Sequence, residues 1–281
     1  MVHKWTPIAL ILVVAVTLAG CTVATDVMRA FQVVIRVFQT EEVIEETYQV
    51  QPGTTLELHN TNGDITVTVG DDNEIHIRAT KRGFGAAGDL DHARIDVTTG
   101  DRMMIETTYL TERSNVAVDY EIIVPSDVSL NQVTTSNGYI RVEDAMGDVT
   151  ATSSNGNIHL ENIDGYVRAT TSNGSIHIKN CTGVRSGVRT SNGNIHIEMK
   201  DIQGNVEIRT GNGSITAYLS QWLRSGVTMT ASNGQVTSDH NHLVIGKSSR
   251  GHLAGQIGEE AEHEILMRTS NGNVTVRQIG E

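Results

Sequence analysis

Thr152-Ser-Ser-Asn155-Gly156-Asn-Ile158-His-Leu160-Glu-Asn-Ile163 is followed eighteen residues later by Thr170-Thr-Ser-Asn173-Gly174-Ser-Ile176-His-Ile178-Lys-Asn-Cys181. The polar cluster and the Gly mark a turn, and the alternation of apolar and polar residues after it marks a strand with one face buried. Asn-Gly-x-(Ile/Val) recurs at Asn137, Asn155, Asn173, Asn192, Asn212, Asn233 and Asn271, with gaps of 18, 18, 19, 20, 21 and 38. The last gap equals two periods of 19, so the pattern predicts a stacked array in which each unit leans on its neighbours. Val149, Ala151, Ile158, Leu160 and Ile163 correspond to Val167, Ala169, Ile176, Ile178 and Cys181 in the next copy. Cys181 therefore takes an Ile position in an apolar column and reads as a small hydrophobe, not a reactive thiol.

Working outward, the stretch from Thr47 to Pro125 shows the same alternation with different punctuation. Leu56-Glu-Leu58, Ile65-Thr-Val67-Thr-Val69 and Ile75-His-Ile77 are divided by Asn62-Gly63 and by Gly70-Asp71-Asp72-Asn73. The expected organisation is a leader at 1–20, a tether or cap at 21–46, an N-terminal β region at 47–130 and an Asn-Gly repeat at 131–281. Asn-Gly between alternating runs is also a strong hairpin signal, so an antiparallel meander competes with a parallel solenoid. An outer-membrane barrel fits less well, because three Phe, six Tyr and two Trp cannot furnish aromatic girdles.

Composition narrows the function classes. A formal charge of −12 and no basic run longer than Lys81-Arg82 argue against nucleic-acid binding. Ile8 to Ala19 is an apolar run preceded by Lys4, as in a signal peptide. Its end, Leu18-Ala19-Gly20-Cys21, resembles the lipobox of prokaryotic lipoproteins, which implies lipid attachment at Cys21 and a membrane partner through that lipid. With Cys21 lipidated, Cys181 has no cysteine left to pair with, so packing must hold the fold.

Tyr48-Gln-Val50, Leu56-Glu-Leu58, Asn62-Gly63-Asp64-Ile65-Thr-Val67, Tyr120-Glu-Ile-Ile-Val124-Pro125 and the serial Thr-Ser-Asn-Gly-x-Ile units together look like the β-strand-repeat surface domain labelled "putative adhesin". The likeness spans residues 47–280. It implies an all-β, single-stranded, right-handed parallel β-solenoid of 18–21 residues per repeat, displayed on the cell surface. The family brings no catalytic residues to carry over, and no enzyme activity is expected. The resemblance tips the choice from meander to solenoid.

Outward columns follow from the offset to each Asn. Four residues on stand Arg141, His159, His177, His196 and Thr216; six on stand Glu143, Glu161, Lys179, Glu198 and Tyr218. In a parallel stack, members of a column sit about 4.8 Å apart. His159, His177 and His196 are thus a candidate divalent-metal site, with Glu161 or Glu198 completing the shell; a solvated polar face is the competing reading. No other cofactor is implied. Asp71-Asp72-Asn73-Glu74 lacks the spaced carboxylates of a calcium loop and reads as a turn. The irregular segment 238–263, with His240, His242, His252, His263 and Glu259-Glu260, interrupts the repeat.

These features predict a lipid-anchored envelope module that binds or scaffolds, with a surface polysaccharide or an envelope protein as partner. An envelope-stress accessory contacting membrane proteins is the alternative. A polysaccharide-active β-helix enzyme is a third class and needs a carboxylate cluster or bound calcium in a groove.

Overall fold

The computed structural model describes residues 39–280 apart from 85–86 and 112–113; Cys21, the leader 1–20 and the larger part of the 21–46 tether lie outside the described residues. The alternation folds as two facing sheets. In each rung a leading strand runs to the Asn-Gly turn, and a trailing strand continues from it in the opposite sheet, as with Val149–Asn155 and Ile158–Glu161. Neighbouring rungs pair in parallel, Ile158 with Ile140 on one side and Ile176 on the other, and Ala151 with Val133 and Ala169. This parallel pairing excludes the meander and establishes the all-β parallel solenoid.

The described residues form nine rungs, within an 11-stranded trailing sheet and a 12-stranded leading sheet. The stack runs through residue 130, because the rung of Thr55–His59 and Ile65–Gly70 pairs in parallel with the Asn137 rung. Rungs follow chain order only in the middle. At the N-terminal end the rung of Arg102–Tyr109 and Val116–Pro125 lies outside the Asn62 rung. At the C-terminal end the Asn271 rung inserts between those of Asn212 and Asn233.

The 38-residue gap is therefore not two successive periods. Within it, Leu243–Ser249 and His252–Ile257 form an antiparallel hairpin that pairs with Ser225–Asn233 and covers the end of the leading sheet. The last rung of the chain then sits between two partners on each sheet, which ties down a terminus that would otherwise fray. The N-terminal end is closed likewise by antiparallel strands, Glu74–Phe84 with Gln39–Gln49 on one sheet and Ala93–Thr98 on the other. A 3-10 helix spans Ala87–His92 beside them.

Aliphatic columns fill the space between sheets. Ile140, Ile158, Ile176, Ile195, Ile215 and Val274 form one, and Val142, Leu160, Ile178, Ile197, Ala217 and Val276 another, all fully buried. Two sheets about 10 Å apart leave a thin interior that branched aliphatics fill, which explains the scarcity of aromatics. Among the described residues Tyr120 is the buried aromatic exception; its hydroxyl hydrogen-bonds Thr107 Oγ1 at 2.6 Å.

The repeated turn is locked by stacking. Side-chain amides form a continuous ladder, each Nδ2 donating to the Oδ1 of the neighbour: Asn137 to Asn62, Asn155 to Asn137, Asn173 to Asn155, Asn192 to Asn173, Asn212 to Asn192, Asn271 to Asn212 and Asn233 to Asn271, at 2.7–2.9 Å. Two residues before the Asn in six of these turns, all but those of Asn62 and Asn233, a buried Ser or Thr hydroxyl donates to the turn carbonyl of the adjacent rung, as Thr171 Oγ1 does to Gly156 O at 3.0 Å. Gly174 has an ordinary φ, but a Cβ there would collide with the carbonyl group of Gly156 in the neighbouring rung. Glycine is required by the closeness of the backbones.

Candidate functional site

The outer face of the trailing sheet carries the predicted columns in register. Arg141 pairs with His159, His159 with His177, His177 with His196, and His196 with Thr216. Parallel pairing turns a four-residue offset into spatial contact. The rings of His159 and His177 stack with centroids 5.0 Å apart and planes 12° from parallel, and those of His177 and His196 at 4.7 Å and 6°. Tyr218, from the neighbouring column, extends the strip at 5.0 Å from His196 with its ring tilted by 50°.

Burial favours the neutral form of the two central rings. His177 and His196 are half-buried by their neighbours, and this desolvation holds both below the ordinary imidazole range; His177 is lowered further by the adjacent histidines. Glu161 bonds Lys179 Nζ at 3.0 Å and His159 Nε2 at 3.0 Å, which pulls its carboxyl below the usual value, Lys179 being the larger cause. Arg141 pairs with Glu143 on the same strand. Glu198, beside His196, accepts a hydrogen bond from Asn180 N and has no ion-pair partner among the described residues.

The side-chain atoms that converge to metal-ligand distances are those of Glu143, His159 and Glu161, all within 4.8 Å of one another. His177 and His196 stack beyond that group. Parallel rings aim their in-plane lone pairs the same way, and two metal–nitrogen bonds of about 2.0–2.1 Å span at most roughly 4.2 Å, less than the stacking distance. An ion shared by neighbouring rings would require one ring to turn. A second cluster, Asp72, Glu74 and His76, lies at the turn read from sequence as structural. There His76 Nε2 and Asp72 Oδ2 are 2.7 Å apart, and Gln49 donates to Glu74.

The histidines of 238–263 are not brought together. His240 is buried, with Nε2 3.1 Å from Leu219 O, and His242 lies 3.2 Å from Gln278. His252 sits at the opposite sheet beside Thr230, and His263 opens the Asn271 rung. Cys181 is fully buried, and desolvation pushes its thiol up to about 11.

Sequence inspection missed a second ladder at the opposite corner. Asn162 donates to Asp144, Asn180 to Asn162 and Lys200 Nζ to Asn180, at 2.8, 2.7 and 2.6 Å. Asp144, Asn162 and Asn180 have φ of 60°, 57° and 50°, the left-handed region that Asn and Asp tolerate best. The signal was present: Asp144, Asn162 and Asn180 each recur at the period of 18.

Three solved structures are similar to this chain at low identity. A "putative cell adhesion protein" from Clostridium sporogenes is 14% identical, with 84% of this chain and 100% of that chain covered and a TM-score of 0.38. A "putative adhesin" from Bacteroides fragilis is 12% identical, with coverage of 85% and 97% and a TM-score of 0.43. A "putative lipid binding protein" from Parabacteroides distasonis is 10% identical, with coverage of 85% and 97% and a TM-score of 0.39. No curated protein matches the chain significantly. The Toastrack DUF4097 family matches residues 126–277, more than half of the chain and all rungs from Asn137 to Asn271. The chain belongs to the Toastrack DUF4097 family of β-strand-repeat proteins.

Proposed function

We propose that this chain is an adhesin-like binding module of the cell envelope, anchored to a membrane by lipid on Cys21, which grips a neutral surface polysaccharide along the trailing-sheet face. The observation that carries the reading is the strip of His159, His177, His196 and Tyr218. It is a stacked row of ring edges with hydrogen-bonding nitrogens at strand spacing, and burial favours the neutral form of its two central imidazoles. Rings fixed by neighbouring rungs lose little freedom on binding, so an extended polymer meets a preorganised surface. The described surface offers open depressions elsewhere, suited to contact rather than engulfment.

The test is capture from intact envelopes with wild type and with His159→Ala/His177→Ala/His196→Ala. Carbohydrate retained by wild type and lost by the variant supports the proposal. Equal retention removes the strip from the site, and capture of a membrane protein in place of glycan supports the envelope-stress alternative. The anchor is tested by metabolic fatty-acid labelling, expected in wild type and absent in Cys21→Ala.

A second reading assigns a divalent metal to the same face, favoured by the convergence of Glu143, His159 and Glu161. Zinc titration of wild type, His159→Ala and His177→Ala separates the two arrangements. Loss only in His159→Ala marks the carboxylate-flanked site, loss in both marks an ion shared along the column, and no binding by wild type ends the metal reading.

A further inference from the structure

The opposite face of the solenoid carries a second regular column, and its chemistry differs. On the outer side of the leading sheet, Thr134 pairs with Thr152, Thr152 with Thr170, Thr170 with Arg189, Arg189 with Arg209, Arg209 with Arg268 and Arg268 with Thr230. Three arginines therefore stand side by side on adjacent strands, all exposed, in a protein whose net charge is −12. Arg168 joins them, because it shares one depression with Arg189 beside the irregular backbone of Ser186 and Gly187.

Two of the column arginines have no counter-charge. Arg189 pairs with Glu207 at 2.6 Å, whereas Arg168, Arg209 and Arg268 have no carboxylate within ion-pair distance among the described residues. Like charges directly opposite on neighbouring strands oppose sheet formation. The fold does not need them, since flanking rungs place Thr at the same outward position. Guanidinium groups also bind carboxylates and phosphates through two parallel hydrogen bonds.

We propose that Arg168, Arg189, Arg209 and Arg268 form a docking strip for a linear acidic polysaccharide, running along the solenoid axis with its carboxylates spaced over successive strands. Its surroundings favour a polymer over a lipid surface: among the described residues within the strands of this sheet, the exposed large apolar side chains are Val244 and Ile245 of the edge strand. Threonine hydroxyls above and below the arginines extend the strip with neutral hydrogen-bonding groups. The site is independent of the histidine face and goes beyond the reading given for it.

The experiment uses the full chain with polygalacturonate as probe, neutral dextran as control and phosphatidylglycerol vesicles as the competing surface. Wild type should bind polygalacturonate and release it as salt rises, because the contact is ionic. Arg209→Thr/Arg268→Thr should weaken binding at least tenfold while unfolding no earlier than wild type, since Thr is what neighbouring rungs carry. The histidine triple variant should bind polygalacturonate like wild type, which separates failure of this site from failure of the other face. No binding by wild type, binding unchanged in the double variant, or binding to vesicles but not to polygalacturonate would overturn the proposal.

Discussion

Replacing Gly174 by Ala tests the stacking directly, because it adds one methyl group where two backbones touch. The new Cβ would collide with the Gly156 carbonyl, and the rungs must part to admit it. Parting strains the bonds that join them: Gly156 N to Asn173 O at 2.9 Å, Asn173 N to Ser154 O at 2.9 Å, Ile158 N to Ser175 O at 3.0 Å and the Asn173–Asn155 amide contact at 2.8 Å. Losing two or three at about 0.5–1.5 kcal/mol each, with about 1–3 kcal/mol of overpacking, gives a penalty of about 2–7.5 kcal/mol. That is a large share of the ~5–15 kcal/mol that holds a domain together. Two other glycines calibrate the effect. Gly204 has open space around its Cβ position but a φ of +81°, so Gly204→Ala should cost about 1–3 kcal/mol through backbone strain alone. Gly246 has neither restriction, its nearest neighbour being 3.8 Å away, and Gly246→Ala should fall within about 0.5 kcal/mol of wild type. Guanidinium unfolding with unchanged slope reads all three as shifts in midpoint. If Gly174→Ala unfolds where wild type does, or if Gly204→Ala is the more damaging change, close rung contact is not what demands glycine in the turn.

The remaining predictions use other parts of the molecule. His177, His196 and His240 are held below their ordinary pKa by burial, so the unfolded chain takes up protons first as pH falls through about 6.5. Stability is therefore full above that value and declines toward pH 5; a His177→Gln/His196→Gln variant should flatten the decline, and an equally steep one would refute the assignment. Cys181 should resist a thiol reagent in the native protein and react at the rate of unfolding, since it is buried and its thiol is pushed up to about 11; rapid native-state labelling would contradict its place in the core. Lys179→Ala should cost no more than about 0.5 kcal/mol, because its bond to Glu161 is a surface ion pair. Seven turn glycines donate N–H to an Asn carbonyl of the adjacent rung, whereas Gly234 N has no such acceptor among the described residues. Deamidation at mildly alkaline pH, in which that nitrogen attacks the side-chain amide and releases ammonia, should concentrate at Asn233. Peptide mapping that finds it spread evenly over the Asn-Gly pairs would show that the ladder gives no protection.

Local chemistry made much of this protein legible in its sequence. Period-two alternation assigned Ile158, Leu160, Ile176 and Ile178 to the core, and the fixed offset from Asn assigned His159, His177 and His196 to one outward column, because both depend only on strand pleat and repeat length. Whether the strands paired in parallel was left to the family resemblance, since Asn-Gly serves a hairpin as well as a solenoid corner. Rung order belonged to the tertiary structure alone. Both Asn233 and Asn271 carry the Asn-Gly turn, and although their rungs bury different residues, Val227, Met229 and Ala231 against Ile265, Met267 and Thr269, counting repeats does not say which lies against Asn212; the closing hairpin of Leu243–Ile257 occupies the end beside the Asn233 rung. The arginine column was hidden for the same reason. Arg209 and Arg268 are 59 residues apart and become neighbours only through that insertion, so counting successive repeats could not place them together. Sequence determined what each rung buries and exposes; the end caps determined which rungs, and so which exposed charges, meet.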